Sequence, residues 1–420
     1  MPATPGATDA GATDEGATDR GAAPAAAALS GIRVLDLSRV LAGPSCGQLM
    51  ADLGADVIKI EDREGDENRR WAPVVEGRGA NFLSVNRGKR GMTLNLKSAA
   101  GQDVLARLVA RSDVLIENFP TATAARLGLD HARLRGINDR LVHVSITGYG
   151  DRGPLATRPG YDNMVQAFSG MMAMTGEADR GPSRLGPSVI DLGAGMLAFA
   201  GACAALLARA EGRAAGQHVQ TSLLQTAVAQ LGYHLTAYTT AGIVPQRTGS
   251  AVWHIVPYQA FRTADGWVLA GATNDAVWQR LARDVLDAPE LADDPAYARA
   301  TDRSARRLEL VARIEPHFLR RTTAEWTARL DAARVPCSPV LTMDEALAHP
   351  QVAAMEMLSE VPDGRGGTMT LCGVPLSFSE TPTRRNDRPP DLGEHTDAIL
   401  AGELGMGAEE IAALRQEGAI

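Results

Sequence analysis

Two rhythms of apolar and polar positions alternate through the first half of the chain. Short apolar runs at 32–37 (IRVLDL), 56–61 (DVIKIE), 92–96 (MTLNL), 113–118 (DVLIEN) and 141–146 (LVHVSI) predict strands. Segments 44–53, with proline near its start, and 99–110 carry helical spacing. Strands separated by helices require crossover connections. The fold class is therefore α/β, with a mainly parallel sheet covered on both faces. Ligands of such sheets sit at the carboxyl ends of the strands. Those ends carry Ser38-Arg39-Val40, Glu61, Glu117-Asn118 and Thr147-Gly148-Tyr149.

Two long helical stretches follow, near 192–210 and 223–241, with a strand (HVQTSLL) between them. The stretch 242–249 reads as a linker. Segment 258–272 (YQAFRTADGWVLAGA) reads as a hairpin turning at 264–266. Helical patterns then run from 275 to about 333. A glycine-rich stretch at 362–368, another β pair and a polar helix near 408–417 close the chain. The organisation expected is a low-complexity tail over 1–28, a large domain over 29–244, a smaller α+β domain over 245–340, and a C-terminal segment, 341–420, returning to the large domain.

Composition narrows the class. With 420 residues, one core is too small a unit for the whole chain. A net charge of −8 argues against nucleic acid and a polybasic membrane surface as partners. Cys46, Cys203, Cys337 and Cys372 are far apart without a CxxC pair, as expected of thiols in a reducing compartment. The tail repeats GATD three times at a five-residue period and has no basic region leading into an apolar one. A disordered tail is expected rather than a signal peptide. The most apolar stretch, 192–207, is too short to span a bilayer, so a cytoplasmic location is expected.

Several chemistries lack their sequence signatures. There is no GxxxxGK[ST], no GxGxxG after the first strand, no GxSxG elbow and no paired histidine spacing, so no metal site is expected. What remains is GPSVIDLGAG, residues 186–195. It places Asp191 at the start of a helix rich in small residues. Pattern alone favours an N-cap role for that aspartate. A desolvated carboxylate nucleophile, flanked by glycines that let a thioester approach the backbone, is compatible with the same placement.

Taken with GIRVLDLSRVLAGPSCGQLMADLGADVIKIE, NRGKRGMTLNLK, DVLIENF, SITGYGDRGP, RPGYDNMVQAFSGMMAMTG, VPYQAFRTADG, VPCSPV and LGEHTD, this segment resembles the class III CoA-transferases, the CaiB/BaiF family. The resemblance runs from about residue 31 to about 404. It implies a Rossmann-like large domain, a small domain and an interlocked homodimer. It also implies an acyl-CoA and a carboxylic acid as substrates, with no permanently bound cofactor. By position in the motif, Asp191 is the nucleophile that forms a mixed anhydride and then an aspartyl-CoA thioester. The same matching puts Val40, Leu41 and Ala42 along CoA, Leu94 and Lys97 near its adenine and ribose-phosphate end, and Asn118 and Arg126 near the pantetheine arm and phosphates. Tyr161 and Asp162 are expected to face the active site. Asp62 follows Glu61 where some members carry a basic residue. Trp253 stands where many members have a His-Pro pair, and it is expected either to shape the acyl pocket or to pack the small domain.

Two rival readings keep the fold. The α-methylacyl-CoA racemases use a histidine where this chain has Tyr161, which favours transfer. A non-catalytic CoA-binding protein would not need Asp191 and its surrounding pattern. Similarity to relatives acting on dicarboxylic acids points to succinyl-CoA as donor and a short dicarboxylate as acceptor. A cation for the second carboxylate is then expected among Arg39, Arg158 and Arg184.

Overall fold

A computed structural model describes residues 26–383 and 387–420. The tail expectation over 1–25 lies outside the described residues. Apolar, β-branched runs build six strands: β1 (Arg33–Asp36), β2 (Asp56–Glu61), β3 (Arg90–Thr93), β4 (Val114–Glu117), β5 (Val142–Thr147) and β6 (Gln217–Ser222). All pair in parallel, in the order β3-β2-β1-β4-β5-β6. This is the doubly wound order whose direction of growth reverses between β1 and β4, where a ligand crevice opens.

The period of two divides the sheet into two buried faces. Val34, Val114, Ile116, Val142 and Val144 meet α1 (Ala42–Asp52) and a later long helix. Leu35, Ile58, Leu115 and Met92 meet α2 (Ala99–Val109). Beyond β4 comes α3 (Thr121–Arg126), and beyond β5 come α4 (Asp162–Phe168) and α5 (Val189–Ala210). After β6, α6 (Leu223–Gln230) and α7 (Tyr233–Ala241) replace the single helix expected over 223–241. The break falls at Gly232, whose φ of 53° interrupts the helical run.

α5 has 22 residues and is apolar enough to cross a membrane by length and composition, which corrects the expectation from the shorter run. In the fold, its small face, Ala194, Ala198, Ala202 and Ala205, is buried in the core that α1 also enters.

A separate core forms around the antiparallel strands β7 (Tyr258–Arg262), β8 (Trp267–Gly271) and β9 (Cys337–Pro339), with Trp278, Tyr297, Phe318 and Trp326 inside. A hairpin of β10 (Leu358–Pro362) and β11 (Thr368–Cys372) follows. Two last helices, α8 (Thr396–Leu404) and α9 (Ala408–Gln416), bury Ile399, Leu400 and Ile411 on the α2 side of the large sheet.

Candidate active site

The loop after β1 is built on buried ion pairs. Asp36 accepts from the Ser38 N–H at 3.0 Å and from Lys89 Nζ at 2.7 Å, all within the protein interior. Lys59 Nζ donates to the Ser38 carbonyl and faces Asp66 at 3.5 Å. Asp66 accepts from the Val40 N–H at 3.0 Å, and Asn68 donates to the Val40 carbonyl at 2.7 Å. These bonds hold Val40 at φ 67°, a conformation that is costly for a β-branched residue. Across the switch point, Asn118 accepts from the Arg39 N–H and donates to the Arg39 carbonyl, both at 2.8 Å.

This scaffold borders a cavity of about 710 Å³ at the carboxyl ends of β1 to β5. Val40, Leu41, Ala42, Leu94, Lys97, Asn118, Arg126, Tyr161 and Asp191 all line it. Leu94 is buried, while Lys97 and Arg126 are exposed and make no ion pair among the described residues. Asn118 holds this loop, with Oδ1 and Nδ2 each bonded to Arg39. Glu61 is occupied by a bidentate bond to Arg69 at 2.7 Å. Asp62 pairs with Arg39 at 2.8 Å.

Asp191 is the third residue of α5, past the cap position that pattern favoured. Ser188 stands at the N-cap and makes no side-chain cap bond. The bond comes instead from Asp162, whose Oδ2 accepts from the N–H groups of Ile190 at 2.8 Å and Asp191 at 3.1 Å. The Asp191 carboxyl is thereby left without a hydrogen-bond donor among the described residues, 8% exposed, at the cavity wall. Burial, reinforced by the nearby Asp162 charge, raises its pKa to about 7.

Asp162 therefore lies behind the wall rather than on it, and its buried carboxylate serves the backbone instead of the cavity. Trp253 also lies outside the cavity of its own chain, its ring 4.9 Å from that of His254. The glycines beside Asp191 also allow close packing of the surrounding elements. A Cβ on Gly195 would stand 1.9 Å from Ser45 Oγ and 2.5 Å from the Ala42 carbonyl, and one on Gly193 would meet Gln230.

The sequence spacing hid one cluster of histidines. His143 and His218 face each other across β5 and β6, and His131 stacks on them, with ring centroids 4.4 to 5.7 Å apart and planes within 17°. Near-parallel rings hold their lone pairs in separate parallel planes, so these three form a stack, in which one ligating nitrogen from each ring lies within 4.8 Å of the others. Burial lowers the pKa of His143 to about 3 and of His218 to about 4, and moves that of His131 down as well.

The comparisons with known proteins agree with this architecture. A model of CoA-transferase family III matches residues 29–396. A succinate–glutarate CoA-transferase from Agrobacterium fabrum is 38% identical over 381 residues, covering 89% of this chain and 95% of the relative. A human succinyl-CoA:glutarate CoA-transferase is 33% identical over 394 residues, covering 93% and 90%. The crystal structure of a CaiB/BaiF family protein from Brucella suis superposes with a TM-score of 0.81 at 36% identity, covering 90% of this chain and all of that one. A crevice at the strand ends, a match along nearly the whole length and these relatives agree: the chain belongs to CoA-transferase family III and is an enzyme.

Proposed function

We propose that the protein moves CoA from succinyl-CoA to a short dicarboxylic acid, with Asp191 as the covalent carrier. A carboxylate oxygen of Asp191 attacks the thioester carbonyl. The carbon–sulfur bond breaks, CoA leaves as the thiolate, and a mixed anhydride forms. The thiolate then attacks the Asp191 carbonyl carbon and expels the donor acid as its carboxylate, leaving an aspartyl-CoA thioester. The acceptor carboxylate reverses both steps and restores Asp191, with no net proton transfer.

The observation that carries this reading is the Asp191 carboxyl itself. It is buried, without a donor among the described residues, at the wall of a cavity rimmed by Lys97 and Arg126. Such a carboxylate is poorly solvated and correspondingly reactive. Exposed cations at the rim suit the phosphates of CoA, the Val40–Ala42 loop offers the pantetheine an apolar path, and Leu94 stands at the adenine end. Tyr161, half exposed at the same wall, stands where a racemase would present a histidine.

The dicarboxylate preference rests on the named substrates of the relatives and on Arg158. Of the three candidate cations, Arg39 is paired with Asp62, and Arg184 donates to the Leu185 and Gly186 carbonyls away from the cavity. Arg158 lines the cavity with no ion pair among the described residues. A cytoplasmic homodimer completes the proposal. α7 buries none of its residues in its own chain, and an isolated helix of this length is marginal in water.

The test uses an acceptor acid labelled with heavy oxygen. After turnover, the peptide carrying Asp191 gains the label, because the bridging oxygen of the second anhydride stays with the enzyme. Asp191→Asn, checked for folding and acyl-CoA binding, loses transfer by at least about a thousandfold. An unlabelled peptide, or normal transfer by the folded variant, overturns the assignment.

A further inference from the structure

The first turn of α5 is capped by a residue from another helix. Asp162 is buried at the start of α4, and its Oδ2 takes the N–H groups of Ile190 and Asp191. Its Oδ1 is held by Gln166 Nε2 one helical turn away. Gln166 is fully buried and in turn accepts from the Leu185 N–H at 2.9 Å, in the loop that enters α5. A continuous set of bonds thus runs from the 185 loop through Gln166 and Asp162 to the backbone of Asp191. A cap from Ser188 would have satisfied the same turn with a neutral oxygen. The fold places a carboxylate there instead, next to a second carboxyl that has no donor of its own.

We propose that Asp162 is a positioning residue for transfer: pinned by Gln166, it fixes the backbone of Asp191 and sets a negative charge against the Asp191 carboxyl. The inference rests on the reading of Asp191 as nucleophile. Two effects follow. The clamp fixes the direction in which the Asp191 side chain leaves the helix, which matters because small misplacements of a nucleophile are costly. The charge opposes ionisation, so the Asp191 carboxylate that does form is more basic and a better nucleophile than an ordinary aspartate.

The other groups around this turn contribute little of the same kind. α1 brings Ser45, and α6 brings Thr226 and Gln230. Tyr161 precedes α4, and Arg158 lies on the loop before it. Only Asp162 stands beside burial as a cause of the raised Asp191 pKa.

The experiment follows formation of the CoA adduct on Asp191 from succinyl-CoA, in single turnover, across pH. Asp162→Asn keeps an acceptor for the two N–H groups and removes the charge. Gln166→Met keeps the charge and removes the pin. With Asp162→Asn, the acidic limb moves down by about one pH unit and the plateau rate falls about tenfold or more. With Gln166→Met, the limb stays in place and the plateau falls, while the KM for acyl-CoA changes less than about twofold. If wild type forms the adduct and Asp162→Asn leaves the limb where it was, the proposal is overturned, whatever the plateau does. If wild type forms no adduct on Asp191, the nucleophile assignment itself fails.

Discussion

At the scale of single residues, the site separates a group that reacts from groups that hold it. Asp191 has lost its water and gained no donor, so its proton leaves only near neutrality. Because the ionised form is the attacking one, activity is lost as pH falls. The plot of kcat/KM against pH should bend near 7 and fall tenfold per unit below it. A bend at the ordinary aspartate range, near 4, would show that burial does not govern this carboxyl. Arg158 carries the substrate prediction. Arg158→Met should raise KM for a dicarboxylate acceptor about tenfold or more and leave a monocarboxylate within about twofold. Equal effects on both would remove the arginine from acceptor recognition. Some residue types of this site were legible in the sequence, since Asp191 and Lys97 stand in motifs that resemble a family. Their division of labour was not. The Asp162 side chain reaches a backbone 28 residues onward, and the Asn118 side chain one 79 residues back.

At the scale of elements, two misread boundaries share a cause, which is that the deciding contact is distant. α5 begins at Val189 rather than at 192, because its cap is Asp162 and not a local residue. β3 ends at Thr93, although apolar alternation continues through Leu94 and Leu96. There the Asn95 N–H turns to the carbonyl of Ala419, at the far end of the chain. Strand β2, by contrast, spans the expected residues, since all of it after Asp56 is buried and its pattern needs no outside help. The glycines of α5 yield a prediction at this level. Gly195→Ala should cost about 1–3 kcal/mol in denaturant unfolding, because the new methyl meets Ser45 and the α1 backbone across a tight helix pair. Gly193→Ala should cost less, because the long side chain of Gln230 can move away. Equal losses would show that the close approach of α1 and α5 is not what these glycines serve.

At the scale of the molecule, the proposed homodimer would cover apolar surface that one chain leaves exposed. Met196, Leu197 and Leu207 on α5, Tyr233, Leu235 and Tyr238 on α7, and Ile243 and Val244 beyond it are all exposed. Contiguous apolar faces of this kind mark protein contacts, and a second copy of the chain offers the same faces in return. Light scattering should therefore give twice the 44.2 kDa chain mass at micromolar concentration. If the two chains also thread through each other, they cannot part without unfolding. Isotopically light and heavy dimers, mixed under native conditions, should keep their two masses for days. Mixed dimers should appear only after joint unfolding and refolding. Rapid exchange in native buffer would leave a dimer but remove the interlock, while a monomer would leave α7 needing a partner of another kind.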